Sequence, residues 1–557
     1  MGAPVIIDSC DIQRDCLVAD VCIIGAGAAG IAIALQLAKT RHDVLLLEGG
    51  GLTREKETQM LYAGESVGIA YAPLDQCRSR FLGGSTNCWL GWCRPLDPID
   101  FEPRPWMSAE GWPIGREELL DAYRTAHELL MLGPFDYDRR SWAKRLGREA
   151  SFLQYDRTLV EDGVIQIGPP ARFGRLFRGA LAAAKNIRVL LHSNVSELIV
   201  DPHGRTIDRI NVLRPNGTAM TVLPKIAVLA TGGIENARLL LASDRVHAQG
   251  LANAHGLVGR YFMDHPRVRS VKVQISAKGV RRLYDHSYAL VRQRLRISRP
   301  PMTMHFAPAQ RQQRELQLPN SRTYLVAKSF AAISALHARL RLLRHRDGQP
   351  RGVRAWRNDL QHALQCLPPA LAAAGDYLLP DRRQHNEFCL ETVFEPVANH
   401  ASRVILIPAQ NRLGMRKVRL DWRLSDADHG NYLRSINLVI AELAAHGIIA
   451  PIDTGGNVEH QWPSGVQWCW HHIGTTRMHR DPTKGVVDVN CRVHGLDNLF
   501  IAGSSVFPTA GSDTPTLTIV ALAVRLAGHL RDLLAASKVV ILTGAALGKP
   551  VKTGLST

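Results

Sequence analysis

A β-α-β pattern in residues 20–48, DVCIIGAGAAGIAIALQLAKTRHDVLLLE, restricts the fold more than any other part of the sequence. The short apolar run Val21–Ile24 leads directly into a Gly-x-Gly-x-x-Gly motif that begins at Gly25. The helical pattern of Ile31–Lys39 follows, and Val44–Leu47 reads as a second buried strand. This order predicts the nucleotide-binding part of a Rossmann-like α/β domain.

Each glycine of this motif has a physical role. Gly25 permits the tight turn, Gly27 lets a pyrophosphate approach the backbone, and Gly30 lets helix and strand pack closely. Glu48, which lies 18 residues beyond the last glycine, is placed to accept the ribose hydroxyls. We therefore expect a dinucleotide at the N-terminus of this helix, although the motif does not distinguish NAD from FAD.

Two later segments favour FAD. Residues 226–243, IAVLATGGIENARLLLAS, read as a buried strand, a glycine turn and a helix, which is typical of a second wall of one cofactor site. Residues 81–97, FLGGSTNCWLGWCRPLD, are dense in small side chains that let the backbone approach a planar ring. Either segment alone could be an ordinary turn or a surface loop.

The middle of the chain, residues 266–464, has a different character. Extended patterns at 387–396, 402–407 and 416–422 predict antiparallel strands, and residues 429–447 predict a helix. The chain then returns to α/β character at 498–530, where a glycine- and proline-rich turn precedes an apolar helix. We therefore expect a substrate domain inserted between two parts of a cofactor domain.

The predicted division of the chain has four parts. They are the first part of the FAD-binding domain (16–265, with a lid or loop region near 51–180), an α+β substrate-binding domain built on an antiparallel sheet (266–464), the C-terminal part of the FAD-binding domain (465–535) and a tail (536–557).

Length and composition exclude several classes of protein. A chain of 557 residues needs two or more domains. It contains no apolar run of membrane-spanning length, and its N-terminus does not read as a signal peptide. The ten cysteines form no C-x-x-C pair, so neither a zinc site nor a disulfide framework is indicated. These observations favour the cytoplasm.

The net charge of +18 is spread along the chain and no nucleic-acid recognition motif accompanies it. One local excess exists, because seven arginines lie between Arg339 and Arg357. Leucines at 336, 340 and 343 give this segment a helical stripe. A solvated helix face is the favoured interpretation, and the alternative is a docking site for an acidic partner, an anionic substrate or an anionic membrane surface.

Residues 468–482, WCWHHIGTTRMHRDP, place two histidines side by side. The segment could be a core segment, a metal site or the place where a substrate loses a proton. A zinc site is poor, because adjacent residues on an extended chain diverge and no further ligand set is near. The remaining alternatives stay open on the residues alone.

Several motifs in a fixed order resemble those of the glucose-methanol-choline (GMC) oxidoreductases, which bind FAD and oxidise alcohols. The resemblance spans nearly the whole chain. It rests on the Gly25–Glu48 unit, GGSTNCW, ATGGIENARLLL, VGRYFMDHP (258–266), HHIGTTRM and NLFIAGSSVFPTAGSDTPTLT.

The resemblance implies specific site residues. His471, which opens the H-x-x-G-T-x-x-M motif, corresponds to the active-site base, and Thr514 stands where the family usually has His or Asn. Threonine is no base near neutral pH, so His471 would act alone or with help from Asp513 or His472. The implied cofactor-binding residues are Gly25, Gly27, Ala28, Gly30, Glu48, Gly83, Gly84, Ser85, Asn87, Cys88, Val195, Thr231, Gly232, Asn236, Gly503, Ser504, Thr514 and Pro515.

Cys88 stands where relatives that attach FAD covalently often have His, so we expect non-covalent FAD, and a cysteinyl flavin at Cys88 is the alternative. The resemblance further implies oxidation of CH–OH to a carbonyl, with the hydride going to flavin N5 and the proton to His471. Sugars, polyols, glycosides and other primary or secondary alcohols are within range, and the electron acceptor is open. The alternatives are a lyase, isomerase or decarboxylase on the same fold, or a non-catalytic flavin-binding partner protein.

Overall fold

The computed structural model describes residues 6–147, 152–275, 280–295, 300–344, 353–378, 386–452, 462–512 and 514–536. Asp513 and the tail 537–557 lie outside the described residues, as does the centre of the arginine-rich segment at 345–352. The strands are β1 (Ile6–Asp8), β2 (Cys16–Ile24), β3 (Val44–Leu47), β4 (Glu65–Gly68), β5 (Trp92–Cys93), β6 (Val160–Ile167), β7 (Ile187–Leu191), β8 (Asn194–Val200), β9 (Ile207–Leu213), β10 (Ala219–Leu229), β11 (Pro266–Ile275), β12 (Met302–Pro308), β13 (Ser321–Ala327), β14 (Glu387–Phe394), β15 (Arg403–Gln410), β16 (Arg416–Trp422), β17 (Ile449–Pro451), β18 (Gln467–Trp468) and β19 (Leu499–Ile501).

The α-helices connect and cover these strands. They are α1 (Ala28–Leu37), α2 (Lys56–Gln59), α3 (Pro98–Phe101), α4 (Leu120–Leu129), α5 (Arg139–Leu146), α6 (Phe173–Leu176), α7 (Arg178–Ala183), α8 (Glu235–Ala242), α9 (Arg281–Tyr284), α10 (His286–Arg294), α11 (Gln310–Glu315), α12 (Phe330–Arg344), α13 (Val353–Leu378), α14 (Asp426–Ala445) and α15 (Thr516–Ala536). Within the described part of the chain, no helix is long and apolar enough to span a bilayer.

The first sheet is built around β2 and β3, as the β-α-β pattern predicts. Its strand order is β1-β7-β3-β2-β10-β9-β8, and β19 also pairs with β10. The pairs around β2 are parallel, and the pairs of β9 with β8 and β10 are antiparallel. β3 is buried along its whole length, and α1, which packs against α15, lies on β2 and β3. The carboxyl ends of β2, β10 and β19 therefore meet at one edge.

The second sheet is antiparallel, with strand order β17-β11-β14-β13-β12-β6-β5 and β18 paired to β11. It takes β5 and β6 from before residue 266 and β18 from after residue 464. The sheet therefore extends beyond the segment expected from the sequence, because β6 pairs with β12 along its full length across a large sequence separation. Local periodicity carries no information about such pairing.

A third, three-stranded sheet contains β15, β16 and β4. β15 and β16 pair antiparallel, as predicted, while β16 pairs parallel with β4. The predicted helix at 429–447 is α14, which begins earlier, at Asp426, because Ser425 and Asp428 form a capping box. The predicted fold class, a Rossmann-like α/β domain combined with an antiparallel α+β region, is confirmed.

Candidate active site

The glycine turn between β2 and α1 is tightly packed on one side and open on the other. Gly25 has a φ of +103°, and a Cβ there would lie 2.6 Å from the carbonyl oxygen of Ala230. A Cβ on Gly30 would lie 1.9 Å from the carbonyl oxygen of Gly25. Gly27, in contrast, faces open space, and no side chain caps α1, which begins at Ala28. Its first backbone N–H groups are therefore available to an anionic group.

Replacing Gly30 with alanine is expected to remove most of the bound FAD, because the new methyl group can be accommodated only by moving the Gly25 turn. Gly179→Ala is the matched control, since a Cβ there meets nothing within 4 Å. Flavin released into the supernatant by acid precipitation measures the cofactor content and tests whether FAD is non-covalent. Equal flavin content in both variants would contradict the assigned role of Gly30.

Glu48 lies at the end of β3 with its carboxylate buried. Its Oε2 accepts from the backbone N–H of Ala26 at 3.1 Å, and its Oε1 accepts from Gly50 at 2.9 Å. Burial raises the pKa of Glu48, and these N–H donors oppose the shift. The carboxylate keeps acceptor capacity for ribose hydroxyls. Val195, another of the predicted cofactor-binding residues, is buried in β8. It lies two residues after Ser193, whose N–H donates to the Glu48 carbonyl.

The loop that begins at Gly83 lies against the glycine turn. The Gly83 N–H donates to the carbonyl of Ala26 at 2.8 Å, and a Cβ on Gly84 would lie 2.9 Å from Gly27 Cα. Asn87 holds the loop together by donating to the carbonyls of Leu82 and Gly84. The loop also carries Ser85 and Cys88, which are both exposed.

Asn236 joins the ends of β10 and β19. Its Oδ1 accepts from the N–H and hydroxyl of Thr231, and its Nδ2 donates to the Ser505 hydroxyl at 2.9 Å. Gly232 and Gly503, each with a positive φ, border open space from these two strand ends. The Asn236 amide therefore fixes the separation of two glycine-containing turns.

The histidine segment is attached to the same turns. The Ser504 hydroxyl donates to the carbonyl of His472 at 2.7 Å, and the Gly474 N–H donates to the carbonyl of Ser504 at 3.2 Å. Thr475 donates its hydroxyl to the carbonyl of Gly233. Hydrogen bonds thus bring the cofactor turns and the two histidines, which are distant in sequence, to one place.

These residues fit FAD. Gly27, Gly232 and Gly503 come from three separate strand ends, and a Cβ at any of them would project into open space. Among the described residues, no group hydrogen-bonds to the buried Nε2 of His472. An open, glycine-bordered cleft with an unsatisfied polar atom beside it suits a large planar cofactor.

Asp264 organises the catalytic side of the cleft. This buried carboxylate accepts from the Tyr71 hydroxyl at 2.5 Å and from the backbone N–H groups of His265, Trp470 and His471 at 2.8, 3.0 and 2.9 Å. Trp470 has a φ of +64°, which is costly for a bulky side chain. The convergence of two consecutive N–H groups on Asp264 accounts for this strained turn just before His471.

His265 contacts His471 directly, and the bond directions set the tautomers. His265 Nε2 lies 3.0 Å from the carbonyl of Gly511, which can only accept, so Nε2 carries the proton. In an uncharged imidazole Nδ1 is then bare, and it accepts from His471 Nδ1–H at 2.9 Å. By the same rule, Nε2 of an uncharged His471 carries no proton, which is the state a proton acceptor needs.

The other predicted catalytic residues occupy different environments. The His472 ring lies against Tyr71 and Phe262, and burial lowers its pKa to about 4, so it is uncharged near neutral pH. Thr514 is buried just before α15 with a φ of +48°, which is unusual for a β-branched residue. Asparagine tolerates this backbone conformation better than threonine does. Pro515 follows it at the start of α15.

Sequence reasoning missed Asp264 and His265 as site residues. With His471 they form a cluster in which one ligand atom from each lies within 4.8 Å of the others, a spacing that a metal ion could accept. The Asp264 oxygens already accept four hydrogen bonds. The Nδ1 atoms of His265 and His471 are hydrogen-bonded to each other. We therefore interpret the cluster as a hydrogen-bonded set and assign it no metal.

A buried ion pair supports the Gly511 carbonyl from behind. Arg104 is fully buried and its Nη2 donates to Glu395 Oε1 at 2.9 Å. The same oxygen accepts from the N–H groups of Ala510 and Gly511 at 3.1 and 3.2 Å. Burial and the Glu395 carboxylate raise the pKa of neighbouring Asp100 to about 7. A single guanidinium therefore faces two carboxyl groups behind the active-site loop.

Two family models match this chain. The model described as "GMC oxidoreductase" matches residues 399–523, and the one described as "FAD dependent oxidoreductase" matches residues 20–251. These matches cover both parts of the first sheet and the histidine segment.

Relatives and solved structures agree with these matches. The chain is 24% identical to the 2-methyl-1,2-propanediol dehydrogenase of Mycolicibacterium austroafricanum over 92% of this chain and 95% of that protein. A 122-residue stretch is 39% identical to the C-glycoside 3-oxidase of Microbacterium trichothecenolyticum, covering 21% of this chain and 22% of that protein. The fold is similar to that of pyridoxine 4-oxidase from Mesorbium loti, with a TM-score of 0.56 and 16% identity over 92% of this chain and 99% of that chain. The chain is therefore an FAD-dependent oxidoreductase whose residues 399–523 match the GMC oxidoreductases.

Proposed function

We propose that the enzyme oxidises the CH–OH group of a small-molecule alcohol to a carbonyl, with His471 as the base that takes the hydroxyl proton. The observation that carries this proposal is the chain of hydrogen bonds from Gly511 through His265 to His471, which assigns the proton of an uncharged His471 to Nδ1 and so leaves Nε2 unprotonated. The names of similar proteins support the reaction class, since they include a diol dehydrogenase and a glycoside oxidase.

The residues of the chain divide the work of alcohol oxidation. Bound FAD supplies the acceptor for the hydride. The α1 N-terminus and Glu48 would hold its pyrophosphate and ribose, and the turns at Gly84, Gly232 and Gly503 would contribute the rest of the cofactor site. His471 removes the hydroxyl proton, and Asp264 fixes the backbone of His471 through its N–H.

Three further predictions from the sequence remain part of this proposal. The substrate is a sugar, polyol, glycoside or other primary or secondary alcohol, FAD is held without a covalent bond, and the enzyme works in the cytoplasm. The division into a cofactor domain and a substrate domain, and the roles of Thr514, Asp513 and His472, also remain proposals.

His265 is expected to raise turnover by holding His471 in the tautomer that is protonated at Nδ1. His265→Leu should lower kcat by about tenfold or more, because His471 Nδ1–H loses its acceptor and Nε2 is no longer fixed as the unprotonated nitrogen. His265→Gln is the matched control, since its amide can accept from His471 and donate to Gly511. The kcat of each variant across a pH series measures the effect.

A purely structural role of His265 would give a different pattern. The two variants would then lose turnover equally, with loss of flavin content or thermal stability in parallel. Equal turnover of His265→Leu and the wild type would contradict the tautomer assignment.

Product analysis tests the reaction class. The purified flavoprotein is incubated with a panel of alcohols and an artificial electron acceptor, and the proposal expects one carbonyl formed for each two electrons transferred. Conversion of a substrate without reduction of the acceptor would overturn oxidation and favour lyase or isomerase chemistry on the same fold.

A further inference from the structure

Helix α13 carries a row of exposed leucines. Their side chains are 58% (Leu364), 38% (Leu367), 64% (Leu371) and 51% (Leu378) exposed. Isolated exposed leucines are common on protein surfaces, but a continuous apolar row on one helix indicates a contact surface.

The leucines lie on one side of the helix. At about 100° per residue, the four positions fall within an arc of about 60°. The helix packs a different side against the protein, and the buried residues on that side are Ala363, Ala370, Ala373 and Tyr377. Tyr377 joins an apolar cluster with Tyr288 and Val326 of the protein body. The leucine row therefore lies on a side of α13 that this core leaves uncovered.

Positive charge is concentrated at one end of the same helical pair. α12 packs against α13, and five of the seven arginines between Arg339 and Arg357 lie within these helices, at positions 339, 341 and 344 near the end of α12 and at 354 and 357 near the start of α13. Residues 339–344 and 353–358 contain no acidic residue. The leucine row begins two turns after Arg357, which is exposed, so apolar and basic surface adjoin.

We propose that α12 and α13 dock the enzyme onto the surface of an anionic phospholipid membrane. The leucines of α13 would enter the boundary between headgroups and acyl chains, while Arg339 and Arg357 would contact lipid phosphates. Charge complementarity favours this occupant over a second copy of the chain, because two copies would bring together surfaces of the same sign on a protein of net charge +18. Neither helix is long and apolar enough to cross the bilayer.

Vesicle flotation of the full-length flavoprotein tests this surface. The probes are vesicles of phosphatidylcholine alone and vesicles that also contain phosphatidylglycerol. The protein is expected to float with the anionic vesicles at low salt, to float less as salt rises, and to stay in solution with the neutral ones.

Two variants locate the contact. Leu364→Glu combined with Leu371→Glu is expected to lower the membrane-bound fraction about tenfold or more. The control is Val246→Glu, which adds the same kind of charge at a 54% exposed apolar residue outside the two helices. All three proteins should keep equal flavin content and equal turnover of a soluble substrate, because none of these residues lies in the catalytic cleft.

Three results would overturn the proposal. The wild type could fail to bind anionic vesicles at low salt, or the leucine double variant could bind as well as the wild type. The third is a wild-type dimer that the leucine substitutions dissociate without any vesicle binding, which would identify a second copy as the occupant. Failure of docking would leave alcohol oxidation unaffected, since the two are measured separately.

Discussion

Replacing His471 with alanine is expected to leave FAD content unchanged and to lower kcat by roughly two or more orders of magnitude, which is the usual contribution of a general base. The loss in kcat follows from the removal of the unprotonated imidazole nitrogen that accepts the hydroxyl proton. The measurement is steady-state turnover of the wild type and the variant at equal flavin concentration.

The control for this substitution is His203→Ala, because His203 is an exposed histidine that is far from His471 in the sequence. It should retain full turnover and full flavin content. Wild-type activity in His471→Ala would rule out His471 as the base. Loss of flavin from that variant would show that the imidazole serves cofactor binding instead.

Replacing Arg104 with methionine is expected to lower the free energy of unfolding by about 3–5 kcal/mol, the cost of removing one partner from a buried ion pair. Glu395 and Asp100 would remain buried without their neutralising guanidinium. The loss should be larger above pH 7 than below it. The pKa of Asp100 is raised to about 7, so this carboxyl is protonated at lower pH and its burial then costs less.

The double variant Arg104→Met, Glu395→Gln is the matched comparison. It removes the unpaired carboxylate, while the amide oxygen introduced by Glu395→Gln could still accept from Ala510 and Gly511. We expect it to recover more than half of the lost stability in urea denaturation, with flavin fluorescence reporting cofactor release. A single variant that unfolds like the wild type would show that the ion pair does not stabilise the loop behind the active site.

Local sequence patterns predicted the cofactor half of the molecule well. The Gly25–Glu48 unit forms β2, α1 and β3 in the expected order, because a buried parallel strand followed by a glycine turn has few alternative folds. The extended patterns at 387–422 also became β14, β15 and β16. In each case the signal lies within a few consecutive residues.

Long-range contacts limited the prediction of the active site. His265 and His471 are 206 residues apart, and their contact depends on the pairing of Met263 with Ile473. The sequence did contain a signal for this contact. Asp264 and His265 are a polar pair in the motif VGRYFMDHP, and they directly precede the predicted antiparallel region. Their role becomes visible only when the carboxylate meets the backbone of the histidine segment.

The same limit applies to Arg104 and Glu395, which are 291 residues apart in sequence. Each reads as an ordinary charged residue in its own segment, and nothing in the local pattern indicates burial. Sequence periodicity identifies the face that an element buries, but it does not identify which distant charges meet there.

The most direct test of the central claim is the visible spectrum of the flavin after anaerobic mixing with alcohols, recorded for the wild type and for His471→Ala. We predict that one class of alcohol bleaches the wild-type flavin rapidly and the variant flavin at about one hundredth of that rate or less. Dithionite should bleach both equally. The account would be contradicted if dithionite reduced the wild-type flavin but no sugar, polyol, glycoside or simple alcohol did. Equal bleaching rates in the two proteins would also contradict it.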